Sequence, residues 1–208
     1  MIYVHSVGRA ARYFPERTAL AANGTRSTFR ELHARVGRIA AALTKHGFKA
    51  GDRLALLLPN EPDYIELVYA CAWLGIIAVP LNTRLSVKEI DGILSDANPR
   101  GLVRHSSLPV PTAQVSWQLV LDQDPLDVQS NSIPDPIYDP DAILTLIYTS
   151  GTTGRPKGVE MRHSNILENV HHTNFWLSLE EGAVHLHAAP IFHIADFPFM
   201  FGTPAFGA

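Results

Sequence analysis

The chain has 208 residues, of which 46% are hydrophobic and 18% charged, the balance of a globular protein with one large core. Its net charge of −3 gives no basis for binding nucleic acid, and no stretch is long and apolar enough to span a bilayer. The single cysteine, Cys71, excludes a disulfide within the chain, and its apolar surroundings favour a buried hydrophobe over a nucleophile. Because the first residues also lack a signal-peptide pattern, we expect a cytoplasmic protein.

Helices and strands alternate along the first 121 residues. The segments Thr28–Glu31 and Ser86–Glu89 are capping boxes, whose side chains satisfy the free N–H groups at a helix start. A further helix is predicted to begin near Pro62. Short apolar runs predict strands at 54–58, 76–81, 101–103 and 118–121. This alternation predicts parallel βαβ units, and therefore an α/β fold with a mostly parallel sheet flanked by helices.

Residues 122–141 differ in character, because six aspartates are interleaved with four prolines. The spacing and the glycine of an EF-hand are absent, so a solvated linker is favoured over a calcium loop. We therefore divide the chain into an α/β subdomain at 1–121, a linker at 122–141 and the start of a second subdomain at 142–208.

An apolar strand predicted at 142–147 leads into the run YTSGTTGRPKGV at 148–159. Its glycines let the backbone approach a ligand closely, and its hydroxyls, N–H groups and Lys157 can all donate to anionic oxygens. These features predict a phosphate-binding loop, the alternative being a flexible glycine loop with an incidental lysine. A Walker A loop is excluded, because Gly158 stands where a magnesium-binding serine or threonine should follow the lysine.

All twelve positions of this run resemble the signature of the adenylate-forming superfamily, which contains acyl-CoA synthetases, luciferases and the adenylation domains of peptide synthetases. A second segment, Ala189–Asp196, resembles the superfamily's next core motif, with Asp196 in place of a common glycine. The chain is most similar to fatty acyl-CoA synthetases and covers less than half of their fold. The resemblance therefore implies an N-terminal portion of the large domain, without the C-terminal lid and inactive by itself.

The resemblance also implies a reaction and a set of ligands. A carboxylate attacks the α-phosphorus of ATP to give an acyl-adenylate and pyrophosphate, and the thiol of coenzyme A then displaces AMP. The expected ligands are ATP, Mg2+, coenzyme A and a fatty or aryl acid, and peripheral membrane contact of the full-length protein stays open. The implied catalytic residues are Thr153, Lys157 and His193. The implied phosphate contacts are Thr149, Ser150, Gly151, Thr152, Thr153, Gly154 and Lys157, and the implied acid contacts are Phe192 and His193.

Two other functions stay open, namely an amino-acid-activating adenylation domain and a non-catalytic remnant that keeps only the phosphate loop. The apolar segment 198–206 is consistent either with an acyl tunnel or with ordinary core. Ser164 is the predicted N-cap of a helix that runs to about residue 177. His185 and His187 share a predicted strand face, but no carboxylate or cysteine lies near them in the sequence, so we expect no metal site.

Overall fold

The computed structural model describes residues 4–129, 132–149, 156–177 and 180–207. Its helices are α1 (Arg9–Tyr13), α2 (Phe29–Lys45), α3 (Pro62–Leu74), α4 (Val87–Ala97), α5 (His163–Leu177) and α6 (Phe199–Ala205), and a π-helical turn, Val4–Gly8, precedes α1. Its strands are β1 (Thr18–Ala22), β2 (Thr25–Thr28), β3 (Arg53–Leu57), β4 (Ile77–Pro80), β5 (Gly101–Arg104), β6 (Trp117–Val120), β7 (Ile143–Thr149) and β8 (Lys157–Arg162). Among the described residues, no helix has the length and apolar character needed to cross a membrane.

Six strands form one sheet in the order β6-β5-β3-β4-β7-β8, and β1 and β2 form a separate antiparallel hairpin. Every neighbouring pair in the large sheet is parallel except β7 and β8. One apolar cluster includes the buried faces of α2 and α3, and a second includes that of α4. The mostly parallel sheet flanked by helices is therefore confirmed.

Both capping boxes are confirmed as helix starts. In α2, the Thr28 side chain accepts from the Glu31 N–H, and the Glu31 carboxylate accepts from the Thr28 N–H at 2.8 Å. Ser86 and Glu89 make the same reciprocal pair at the start of α4. Cys71 is fully buried in α3, where burial raises the pKa of its thiol, as expected of a hydrophobe rather than a nucleophile.

The segment 122–141 is mostly exposed but anchored to the helical layer. The indole N–H of Trp73 donates to the Pro134 carbonyl at 2.8 Å, and the Ile137 N–H donates to the Trp73 carbonyl at 2.8 Å. Leu126 is buried in the main cluster. Beyond this segment the same sheet continues, since β7 pairs with β4. The division into two subdomains stays a prediction.

Two local predictions are wrong. Helix α5 begins at His163, so Ser164 lies within its first turn instead of at the N-cap, and the Asn165 side chain accepts from the Arg162 N–H at 2.9 Å. The segment 183–188, which carries the two histidines, is not part of a strand. The Asn165 amide oxygen satisfies the N–H of the residue just before the helix, which is the return half of a capping box and not an N-cap bond.

Candidate active site

The predicted phosphate loop connects the two strands of an antiparallel hairpin. Thr149 at the end of β7 and Lys157 at the start of β8 are directly opposite in the ladder. The pairing brings the two ends of the loop together, a constraint that the sequence did not reveal because no strand was predicted at Lys157. The Lys157 side chain is exposed, and no salt bridge joins it to any described residue. Five predicted contact residues lie outside the described residues: Ser150, Gly151, Thr152, Thr153 and Gly154.

The hairpin is joined to α4 through the first residue of the run. The Tyr148 hydroxyl donates to the Asp96 carboxylate. The pKa of Tyr148 is raised mainly by partial burial and, to a smaller extent, by this hydrogen bond. The phenol therefore stays protonated and remains a donor. The bond fixes β7 just before the loop begins.

Gly158 is closely packed against two side chains of this hairpin. A Cβ atom at this position would lie 2.9 Å from Leu146 Cδ1 and 3.1 Å from Tyr148 Cζ. We expect Gly158→Ala to lower the free energy of unfolding by about 1–3 kcal/mol, because the two side chains must shift. Urea denaturation measures this change, with Gly92→Ala as the control. Nothing lies within 4 Å of a Cβ at Gly92 in α4, so equal losses in both variants would contradict the packing argument.

The second motif, Ala189–Asp196, forms a series of tight turns. The His193 N–H donates to the Pro190 carbonyl at 3.0 Å, and the His193 carbonyl accepts from the Asp196 N–H at 3.0 Å. The His193 side chain is exposed and its Nδ1 accepts from the Ala195 N–H at 3.2 Å, so the free Nε2 can reach a ligand. Phe192 is half-buried against the core. Within the described residues, no hydrogen bond joins His193 to either end of the phosphate loop.

Asn60, which sequence reasoning missed, holds this motif to the sheet. Its side-chain N–H group donates to the carbonyls of His187 at 3.2 Å and Ala189 at 2.7 Å, and its oxygen accepts from the Ile191 N–H at 2.9 Å. Asn60 follows the carboxyl end of β3, and ligands of open α/β sheets bind at this edge. The position of Asn60 just after a predicted strand was the one feature of the sequence that could have indicated its role.

The phosphate loop follows the carboxyl end of β7, a strand parallel to β4, which is itself parallel to β3. The loop and the Asn60-bound motif therefore lie at the same edge of one sheet. Because β4 separates β3 from β7, the two strands are roughly 10 Å apart.

We expect Asn60→Ala to free the motif from the sheet. The Ile191 N–H loses its acceptor, so its hydrogen exchange should accelerate about tenfold, which corresponds to one hydrogen bond of about 1.4 kcal/mol. Amide exchange measured by mass spectrometry or NMR tests this result. Asn82→Ala is the control, because the Asn82 oxygen accepts only within its own turn, from the Arg84 N–H. Unchanged exchange at Ile191 would show that Asn60 does not hold the segment.

The apolar segment 198–206 divides between core and cavity. Phe201 is fully buried with its ring edge-on to Tyr69 at 5.1 Å, and the Tyr69 hydroxyl donates to the Met200 carbonyl at 2.6 Å. Phe199 and Met200 line a cavity of about 670 Å3 between α6, the β1–β2 hairpin and the start of α3. His193 does not line this cavity. Phe201 therefore belongs to the core, and the acyl tunnel stays a prediction for Phe199 and Met200.

His185 and His187 do have a carboxylate beside them, contrary to the prediction. Asp196 Oδ1 lies 3.2 Å from His185 Nε2, and Asp196 Oδ2 lies 2.6 Å from His187 Nδ1. The turns after Ala189 return the chain to the histidines, and no periodicity in the sequence indicated this return. The three side chains form a contact group that we call the His–Asp–His cluster.

The comparison with known families decides the assignment of the chain. A family model described as AMP-binding enzyme matches residues 7–208. The chain belongs to the AMP-binding enzyme family. This family is the adenylate-forming superfamily that the loop and the second motif resemble, so the prediction of the family is confirmed.

Relatives of this AMP-binding chain are CoA ligases. It is 38% identical over 189 residues to feruloyl-CoA synthase of an Amycolatopsis species, an alignment that covers 90% of this chain and 38% of the relative. It is 35% identical over 205 residues to 2-succinylbenzoate–CoA ligase of Bacillus velezensis, covering 95% of this chain and 41% of the relative. The chain therefore spans about two fifths of the length of these relatives.

Solved structures of the family share the fold. O-succinylbenzoate coenzyme A synthetase from Bacillus subtilis, in complex with ATP and magnesium ion, matches with a TM-score of 0.81 and 31% identity, covering 97% of this chain and 55% of that one. A putative long-chain-fatty-acid CoA ligase from Rhodopseudomonas palustris matches with a TM-score of 0.83 and 28% identity, covering 100% of this chain and 55% of that one. The AMP-binding chain therefore has the architecture of the N-terminal region of acyl-CoA synthetase-like enzymes.

Proposed function

We propose that this chain carries the pyrophosphate-binding part of an ATP-dependent acid–CoA ligase, which converts a carboxylate to its acyl-adenylate and then to its CoA thioester. The observation that carries the proposal is the shared sheet edge, where the hairpin with the phosphate loop and the motif with His193 both lie. The names of the relatives, which are CoA ligases for feruloyl and succinylbenzoyl groups, support the same reaction. Residues 142–208 would then begin the second subdomain of the enzyme.

The loop would act on the charge that develops as pyrophosphate leaves. The hydroxyls and N–H groups between Thr149 and Gly154 would donate to the β- and γ-phosphates, and the Lys157 ammonium would neutralise the triphosphate. Because the hairpin holds Thr149 and Lys157 opposite each other, these two residues would need little reorganisation during the reaction.

The donor set of the loop fits a triphosphate, since it consists of hydroxyls, N–H groups and one ammonium and contains no carboxylate. Magnesium would accordingly be held mainly by the phosphate oxygens, and we assign it no ligand from this chain. When bound, Mg2+ neutralises phosphate charge. Coenzyme A would enter as the second substrate, and the described residues contain no feature that we assign to it.

His193 and Phe192 would position the carboxylate of the acid. The exposed His193 ring sits on a turn whose backbone is hydrogen-bonded on both sides, so its location is well defined. We expect His193→Ala to raise the KM for the acid about tenfold or more, with a much smaller effect on the KM for ATP. Steady-state kinetics of the intact enzyme test this split. A rise in the KM for ATP alone would remove His193 from the acid site.

ATP–pyrophosphate exchange by the intact protein that carries this chain tests the proposed function. The acids to compare are acetate, a medium-chain and a long-chain fatty acid, ferulate, 2-succinylbenzoate and a panel of amino acids. Exchange with a fatty or aryl acid supports the ligase, and subsequent CoA thioester formation completes the evidence. Exchange with amino acids alone would support an amino-acid-activating domain, and exchange with none would support a non-catalytic protein.

A further inference from the structure

We propose that His185, His187 and Asp196 bind a divalent transition-metal ion of the zinc class, with an open coordination position toward the 670 Å3 cavity. The three potential ligand atoms all lie within 4.8 Å of one another. None of the three residues belongs to the phosphate-loop sequence, and the proposed role does not depend on the adenylation reaction.

The spacing of the donor atoms suits such an ion. Ligand atoms about 2.1 Å from a tetrahedral zinc ion are roughly 3.4 Å from each other. Asp196 Oδ1 and His185 Nε2 are already 3.2 Å apart, and Asp196 Oδ2 and His187 Nδ1 are 2.6 Å apart. The widest pair of ligand atoms, at most 4.8 Å apart, would close by up to about 1.4 Å to reach this spacing.

The residues of the cluster are held in place by one side-chain stacking contact and two backbone hydrogen bonds. The His185 ring stacks on Phe199 with a centroid distance of 4.3 Å and an interplanar angle of 9°. The Asn60 side chain donates to the His187 carbonyl, and the Asp196 N–H donates to the His193 carbonyl. The Phe199 ring restricts the orientation of the His185 ring, and the two backbone hydrogen bonds fix the positions from which the side chains of His187 and Asp196 extend.

The charge of Asp196 also favours a cation. Its side chain is 6% exposed, and among the described residues its only ion-pair partners are the two histidines. Buried charges in proteins are paired or coordinate metals. A divalent ion would neutralise the carboxylate and also use the lone pairs of both rings.

The chemistry of the ligands and the open side define the class of ion. Imidazole with carboxylate favours zinc, cobalt and nickel over magnesium and calcium. The side chains of His185 and His187 are 23% and 20% exposed and both line the cavity. A three-ligand site of this kind keeps one position for water or for a small ligand.

Titration of the metal-free, tag-free chain with Zn2+ by isothermal calorimetry, in the absence of nucleotide, tests the proposal. We expect one ion per chain, and visible absorption typical of tetrahedral Co2+ when cobalt replaces zinc. His187→Gln and Asp196→Asn should each weaken Zn2+ binding by more than the roughly 10–100-fold typical for loss of an outer-shell contact. Millimolar Mg2+ should not compete, because the imidazole ligands disfavour it.

The control is the double substitution His171→Ala, His172→Ala, which removes two exposed histidines of α5. It should leave Zn2+ binding unchanged. Circular dichroism confirms that each variant is folded, and if Asp196→Asn is not, His187→Gln decides. Absent Zn2+ binding by the unmodified chain, or equal binding by the folded ligand variants, would overturn the proposal and leave the cluster as a hydrogen-bonded clamp.

Discussion

Replacing Lys157 with alanine is expected to lower ATP–pyrophosphate exchange by the intact enzyme about 10²–10³-fold, the loss typical when one preorganised donor to a developing anion is removed. The Lys157 ammonium stands at the base of the hairpin loop, opposite Thr149, and no described residue neutralises it. Its charge is therefore available to the triphosphate. The loss should appear chiefly in the rate of exchange, because the phosphate charge increases as the bond to pyrophosphate breaks.

Lys88→Ala provides the matched control, since Lys88 is an exposed lysine in the first turn of α4. It should leave exchange unchanged. Thr153→Ala, within the loop but outside the described residues, should reduce exchange in the same way as Lys157→Ala. Both loop variants should keep the unfolding transition of the unmodified protein. Normal exchange in both would remove the loop from the proposed active site.

The second large effect is a loss of stability at acidic pH that depends on His163. This residue, the first of α5, is 2% exposed, and burial lowers the pKa of its imidazole to about 4 from an ordinary value of 6.5. Between about pH 4 and pH 6.5, the His163 imidazole is therefore neutral in the folded state and protonated in the unfolded state. The stabilisation is complete above about pH 6.5 and is lost as the pH falls toward 4, by up to about 3 kcal/mol at 1.4 kcal/mol per pKa unit.

Urea denaturation between pH 7 and pH 4 measures this loss. In His163→Gln the part of the pH dependence that belongs to the imidazole should disappear, so the variant should lose about 3 kcal/mol less than the unmodified chain over this interval. His171→Gln, an exposed position on the same helix, is the control and should retain the full loss. The same pH dependence in His163→Gln and in the unmodified chain would contradict the assignment.

Gly158 and Asn60 show how packing supports the candidate site from two sides. Because Gly158 has no side chain, the side chains of Tyr148 and Leu146 on β7 can pack directly against β8. This packing supports the strand pairing in which Thr149 lies opposite Lys157. Asn60 binds three backbone groups of the second motif from the end of β3. Neither residue needs to contact the substrates, yet each fixes an element that does so in the proposed reaction.

Much of the fold was predictable because its signals are local. A capping box such as Thr28–Glu31 acts within four residues, and an apolar run such as 54–58 indicates a buried strand by itself. The twelve-residue run at 148–159 identified the family in the same way, since its chemistry is contained in consecutive residues. These features required no knowledge of which elements are neighbours in space.

The tertiary structure alone decided which distant residues meet. Lys157 pairs with Thr149 because it lies on strand β8, which the sequence pattern did not predict. Asn60 contacts the second motif because β3 ends close to the turns near His187. Asp196 reaches His185 and His187 only because those turns fold the chain back. Such contacts join residues from eight to more than a hundred positions apart, and they follow from how the whole sheet and its helices pack rather than from any local pattern.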